Sequence, residues 1–336
     1  MKRSEKRTEN FKPNENLDAL ITELKALLEP VQLQIQNNFT NNEYPFLFIV
    51  GNPRSGSTLL LQWMASLGIF SYPTNFLNRF AYAPYIGAQI QKLLFDKKFD
   101  LNDEFKDLMS GISFESNLGK TSGALSVNEF QHFFRNYMDN FEPQYLPDND
   151  IEKIDFNKIK SGLASIESAF QKPFVVKLVM LQFNLDVFYK YIPKSIFIHI
   201  KREPLYNMQS LLLAREKYYG DKNIWWSVKP KEYDKLRELD VFTQIAGQVF
   251  YTNKAIENGL ENIPEEKKVV IQYEDFCRNP KTYFNEIINK YKSLGFDITH
   301  EYKGVKSFNN TNVSKLEKEE IDKLKEAYNF FEGNNE

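Results

Sequence analysis

Residues 46–60 read FLFIVGNPRSGSTLL, and the reading of this stretch decides the fold. FLFIV has the length and unbroken apolar character of a strand buried on both faces of a sheet. LLLQWMASL repeats its apolar residues as a helix does and stops at Gly68. Between the two lies G-x-x-x-x-G, followed by Ser57 and Thr58. A loop joining a strand to a helix turns successive backbone N–H groups toward one spot, where the helix dipole also favours an anion. Gly51 and Gly56 permit the tight turn and a close approach of phosphate. A nucleoside triphosphatase would carry Lys where Ser57 stands, to reach the β- and γ-phosphates, and would use the next hydroxyl for magnesium. Here Arg54, inside the loop, can instead fork onto a short anionic group.

Three further runs have the composition of buried parallel strands: FVVKL (174–178), SIFIHI (195–200) and VVIQYE (269–274). Helical patterns begin at Pro204 and at Pro280, each suited to a first helical position, and stop near Gly220 and before Gly295. This alternation predicts an α/β fold, a central parallel sheet flanked by helices in the three-layer α/β/α manner of P-loop NTPases. In such sheets ligands collect beyond the carboxyl ends of the strands. Residues 76–170 hold aromatic and polar residues with helical patches such as NEFQHFFRNYMDNF, and are expected as a helical insertion over that edge. LDALITELKALLEP, after Asn16, predicts an amphipathic helix ending at Pro30, and SKLEKEEIDKLKEAYNFF one opened by a capping box of Ser314 and Glu317. The organisation expected is one domain over 16–332, with 1–15 a disordered tail and 333–336 a second tail.

Among 336 residues the net charge is −2, with both signs interspersed. That leaves no electrostatic footprint for nucleic acid or an anionic membrane, so an anionic ligand needs locally placed cations. Cys277 is the one cysteine, and His132, His199 and His300 lie far apart, so neither a disulfide nor a metal-ligand pair is expected. MKRSEKRTENFKPNEN lacks the apolar core of a signal peptide, and no run approaches the roughly 20 apolar residues of a membrane span. A cytoplasmic protein is expected.

SIFIHI does not end in the Asp that would hold a nucleotide's metal; it runs into Lys201, Arg202, Glu203 and Pro204. Ser210 falls about two turns into the helix begun by Pro204. Arg202 and Ser210 can therefore share a phosphate lying along that helix's flank. Tyr273-Glu274-Asp275 closes the last strand, followed by Asn279-Pro280-Lys281.

PRSGSTLL after a buried strand resembles the phosphosulfate-binding loop of sulfotransferases that use 3′-phosphoadenosine 5′-phosphosulfate, PAPS. Arg202, the Pro two residues on and Ser210 resemble that family's 3′-phosphate motif, and Tyr273-Glu274-Asp275 its YED segment, where the Tyr lies near the nucleotide. Lys303-Gly304 is similar to a basic-Gly loop that also contacts the 3′-phosphate. The resemblance covers roughly 45–70 and 172–290. It implies Arg54, Ser55, Gly56, Ser57, Thr58, Arg202, Ser210, Tyr273 and Lys303 as residues binding PAPS, the co-substrate, without a metal. It also implies sulfuryl transfer to a hydroxyl or amine, giving a sulfate ester or its amine counterpart and adenosine 3′,5′-bisphosphate.

In such a transfer, positioning and neutralisation of developing charge do most of the work. Arg54 and Lys177, at the end of FVVKL, are the candidates for balancing the leaving phosphate; family members often place a catalytic Lys at that strand end. Cytosolic relatives follow that Lys with a His, but here Leu178, Val179 and Met180 follow. Tyrosine-directed relatives use a Glu shortly after the first helix, where this chain has Thr74 and Asn75. Glu129, a carboxylate among aromatics, is the candidate base, and His132 is expected on the same helix face. Trp225 and Trp226 either line an acceptor pocket or pack in the core. A small-molecule or saccharide acceptor is expected, with a lipid or a protein residue also open, and the oligomeric state is open. An altered P-loop kinase and a non-catalytic nucleotide-binding protein are the competing readings.

Overall fold

The computed structural model describes residues 6–108, 111–139, 142–298 and 300–333. Strands β1 (Phe46–Val50), β2 (Val175–Lys177), β3 (Ser195–Lys201) and β4 (Lys268–Gln272) form one parallel sheet in the order β2-β1-β3-β4. All four fall where the apolar runs predict them. VVIQYE is shorter as a strand than expected, because Tyr273 and Glu274 already belong to the helix Tyr273–Arg278.

The sheet is covered on both faces, as its continuous apolar strands require. Phe46, Phe48, Val176 and Phe197 pack on one side against the helices Pro84–Phe95, Phe156–Phe170 and Leu185–Tyr191. Leu47, Ile49, Ile196, Ile198 and Ile271 pack on the other against the helices Ser57–Ser66 and Pro280–Ser293. A third apolar cluster joins the helices Pro204–Tyr219, Val241–Glu261 and Lys318–Gly333. Much of the 76–170 segment thus covers a sheet face; its part near residues 119–129 reaches the carboxyl edge.

Several local expectations change. The first helix is Glu15–Gln36, capped by Asn14, whose side chain accepts from Leu17 N–H at 3.1 Å. It runs through Pro30 because its last turn is held from outside: Gln36 donates to the Lys158 carbonyl at 2.7 Å, and Gln32 accepts from Tyr85 N–H at 3.1 Å. Proline removes one N–H, and those buried amide bonds outweigh the loss. The last helix begins at Lys318, so Ser314 is no cap. It lies in an extended strap whose neighbours Val313 and Lys315 hydrogen-bond both ends of the Gln209 side-chain amide. Within the expected N-terminal tail, Thr8 N–H bonds the Tyr218 carbonyl, and Phe11, 3% exposed, packs on the Tyr218 ring.

Candidate active site

Sheet order sets the site. β1 lies between β2 and β3, with Ile49 beside both Lys177 and Ile198. β4 flanks β3, with Gln272 beside Lys201. Along the carboxyl edge the order is therefore Lys177, the 51–58 loop, Arg202 and Tyr273. Residues more than 200 positions apart in the chain become neighbours here.

The loop is built as an anion cradle. Arg54 takes a left-handed conformation at φ 70° and Gly56 follows at φ 99°. A non-glycine residue in that region costs roughly 1–2 kcal/mol, so other contacts must hold it. Two do: Arg202 Nη1 donates to the Arg54 carbonyl at 3.0 Å, and Asn207 donates to the Pro53 carbonyl at 2.6 Å. Ser57 and Thr58 open the helix, whose first N–H groups have no carbonyl a turn earlier to bond. The Ser55 hydroxyl is buried without a hydrogen-bond partner among the described residues. A Cβ on Gly56 would lie 2.4 Å from the Tyr273 ring. Gly56→Ala is therefore expected to destabilise the protein by about 2–4 kcal/mol, from the left-handed backbone and overpacking together, read as a lower midpoint in urea.

Arg202 is 9% exposed and is the centre of the neighbouring cluster. Its Nε donates to Asn312 Oδ1 at 2.8 Å and Nη2 to Thr311 Oγ1 at 3.2 Å, while the guanidinium lies 4.7 Å from the Tyr273 ring centre. Tyr273 and Thr311 hydroxyls meet at 3.0 Å, and Asn312 donates to Glu274 at 2.6 Å. Arg54 Nε donates to Ser210 Oγ at 3.1 Å. Burial, then the nearness of Arg202, pushes the Arg54 guanidinium below its ordinary range; burial does the same to Arg202. Two neighbouring guanidinium groups, Arg202 buried and Arg54 half-buried, repel one another unless an anion lies between them.

On the other flank Lys177, 5% exposed, donates to Glu129 Oε1 at 2.5 Å and to Thr58 Oγ1 at 3.3 Å. Glu129 is not on a helix: Phe130 is left-handed at φ 58° and the short helix Gln131–Arg135 begins after it. His132 therefore does not share a helix face with Glu129, and it faces Arg135, Asp18 and Arg79 instead. Glu129 is positioned by residues that the sequence left without that role. Asn128 accepts from Phe130 N–H at 2.9 Å and donates to Asn75 at 2.9 Å, and Asn75 in turn donates to the Thr121 and Gly123 carbonyls. Thr74 caps the next turn by accepting from Leu77 N–H at 2.9 Å.

Behind the loop is a buried polar layer. Asn52 donates to Asn253 Oδ1 at 2.7 Å and to the Val249 carbonyl at 3.0 Å, and Gly51 N–H donates to Gln182 at 3.3 Å. His199, on β3 beside Asn253, is 1% exposed, and burial lowers its pKa to about 3. The unfolded chain binds this proton near pH 6.5 and the native state does not, so stability rises with pH between about 3 and 6.5. Acidification from pH 6.5 to 5 is expected to cost on the order of 2 kcal/mol in urea unfolding, and the loss should shrink in His199→Gln.

Of the other expected residues, Lys303 is exposed, and its connection reaches Arg202 through Thr311 and Asn312 further along. The run NNTN at 309–312 was the only sequence signal for these two. Trp225 is a core residue: it is 5% exposed, donates to the Val228 carbonyl at 3.1 Å, and has the Arg215 guanidinium over its ring.

The sulfotransferase family model matches residues 45–293, most of the chain and all four strands. The chain belongs to the sulfotransferase family. Among solved structures, sulfotransferase STF9 from Mycobacterium avium is similar at TM-score 0.50 and 15% identity, over 95% of this chain and 73% of its own. Sulfotransferase STF1 from Mycobacterium tuberculosis H37Rv gives 0.49 and 12%, over 91% and 76%. A sulfotransferase from Alicyclobacillus acidocaldarius gives 0.41 and 15%, over 85% and 91%. No curated protein matches in sequence. The likeness to STF9 is one of fold. The activity that the family carries is sulfuryl transfer, and its elements bring the loop, Arg202, Ser210, Tyr273, Lys177 and Glu129 of this sulfotransferase to one edge. No helix among the described residues is long and apolar enough to cross a membrane.

Proposed function

We propose that this sulfotransferase takes its sulfuryl group from PAPS and delivers it to a hydroxyl of a small-molecule or saccharide acceptor, releasing adenosine 3′,5′-bisphosphate. The observation that carries this reading is a pair of neighbouring arginines, the buried Arg202 and the half-buried Arg54, with the Arg202 guanidinium holding the Arg54 backbone carbonyl. Ser210 stands on Arg54 and the empty-handed Ser55 hydroxyl lies in the loop between. A donor with phosphates at two ends of an adenosine supplies the anions that this arrangement lacks. The 51–58 loop with Arg54, Ser55, Gly56, Ser57 and Thr58 would hold the 5′-phosphosulfate. Arg202 and Ser210, with Tyr273, would hold the 3′-phosphate.

In the transfer the acceptor oxygen attacks sulfur, the bond from sulfur to the 5′-phosphate oxygen breaks, and the acceptor proton goes to a base. Glu129 would act as that base. Lys177 would balance the charge growing on the leaving phosphate oxygen, a role supported by the reach of its ammonium to both Glu129 and Thr58 on the helix after the loop.

Thermal unfolding with adenosine 3′,5′-bisphosphate, ADP or ATP, with and without magnesium, tests the donor. Bisphosphate at 100 times its Kd should add about 2.7 kcal/mol without metal. Stabilisation by ATP only when magnesium is present would instead indicate a phosphoryl-transfer enzyme, and binding without any sulfate transfer a non-catalytic protein.

A further inference from the structure

Outside the proposed donor site lies a further group of cations, one of which is linked to Glu129. Arg135 Nη2 donates to Gln131 at 2.9 Å, and Gln131 donates to the second oxygen of Glu129 at 2.7 Å. Lys120 follows Gly119, and a Cβ on Gly119 would lie 3.5 Å from both Glu129 Oε1 and Thr58 Oγ1. The Lys120 ammonium sits 4.7 Å from the Phe11 ring centre, Phe11 packs on Tyr218 at 4.5 Å, and Arg7 lies 5.6 Å from the Tyr218 ring centre. The segment around Arg7 and Phe11 is thereby strapped over the same place, with Thr8 bonded to the 217–218 backbone.

The Nε atoms of both Arg7 and Arg135 are buried and have no hydrogen-bond partner among the described residues. The carboxylates that draw on Arg135 are Glu129 and Glu142, and each also holds a lysine, Lys177 and Lys229. Burial, then the charge of Arg7, pushes the Lys120 ammonium below its usual range, and burial does most to lower Arg135. Buried arginine donors are ordinarily paired, and the two unpaired Nε atoms of Arg7 and Arg135 are suited to an oxyanion. The Phe11 ring beside Lys120 and the Tyr218 ring beside Arg7 add apolar surface next to these charges.

We propose that the acceptor is itself an anion, a hydroxyl compound bearing a carboxylate or phosphate, held by Arg7, Lys120 and Arg135 while its hydroxyl meets Glu129. The proposal rests on the reading of the site as a PAPS-dependent one, and it assigns the acceptor side of that same site.

The test starts from protein saturated with adenosine 3′,5′-bisphosphate, so that the donor cradle is filled. Inorganic phosphate, small enough to enter whatever the acceptor's shape, is then titrated against thermal stability. 4-Hydroxyphenylacetate and its neutral amide follow. The expected result is saturable stabilisation by phosphate, and by the carboxylate over its amide by about tenfold or more in concentration, as one lost charge-assisted bond predicts. Lys120→Gln and Arg7→Gln, both on surface segments, should weaken the phosphate response about tenfold while leaving bisphosphate affinity unchanged. No response to phosphate in wild type, an equal response in the variants, or equal affinity for acid and amide would overturn the proposal. Bisphosphate failing to bind wild type would overturn the donor reading instead, and phosphate would still report on the cations. Bisphosphate binding lost together with the phosphate response in these variants would assign the cations to the donor, and also overturn the proposal.

Discussion

Arg202→Ala is expected to abolish most of the stabilisation that adenosine 3′,5′-bisphosphate gives the wild-type protein. The substitution removes three directed hydrogen bonds, to Asn312, Thr311 and the Arg54 carbonyl, and the stacking on Tyr273. It also frees the left-handed Arg54 turn that the guanidinium holds from behind. Hydrogen bonds to a charged group contribute about 1.5–3 kcal/mol each, so losing the ligand contact and the preorganisation together should raise Kd by about a hundredfold or more. Ligand at 100 times the wild-type Kd would then stabilise the variant by only about 0.4 kcal/mol, against about 2.7 for wild type. Arg202→Lys should fall between the two, since one ammonium cannot span three acceptors fixed around a planar fork. Arg54→Ala should also weaken binding, and the double variant should lose less than the sum, because the residues share a hydrogen bond. Calorimetric titration reads all four. Wild-type affinity in both single variants would remove the basis of the proposed donor site.

The other large effect falls on the chemical step. Glu129→Gln is expected to lower kcat about 10²–10⁴-fold, the range for a missing general base, with bisphosphate affinity within a few-fold of wild type. Lys177→Met should lower kcat by at least as much, since it removes the cation at the leaving group and strands the carboxylate it pairs with. Because the two act as one unit, the double variant should be little worse than the poorer single variant. Single-turnover rates with excess enzyme separate this from slow product release. If Glu129→Gln turned over at the wild-type rate while acceptor binding held, the base would have to be sought elsewhere.

The different fates of the sequence expectations follow from the range of the forces involved. Strand runs, helix starts at Pro204 and Pro280, and the glycine loop are local: steric rules and apolar period act over a few residues, and the chain alone writes them out. So FLFIV, SIFIHI and the turn GNPRSGST stand where they were expected. The run of the first helix through Pro30 was decided by partners such as Lys158 and Tyr85 that no local rule names. Glu129 was legible as a carboxylate among aromatics, but the left-handed Phe130 that lifts it off the helix was not. Thr311 and Asn312 had little signal as site residues, because their partners Arg202, Tyr273 and Glu274 lie far away in the chain.

The sequence by itself determined that this chain has a phosphate-type loop without the triphosphatase lysine, an Arg-Pro-Ser flank after another buried strand, and the alternation that makes a parallel sheet. Those features depend on backbone sterics, side-chain period and residue chemistry, all local. Only the tertiary structure decided the strand order β2-β1-β3-β4, and with it the line from Lys177 through the loop to Arg202 and Tyr273. It also decided that Arg54 and Arg202 share a hydrogen bond, and that Arg135 reaches Glu129 through Gln131. Distant charges come together because burying the apolar strands fixes which loops are neighbours, and that choice is made by packing over the whole domain.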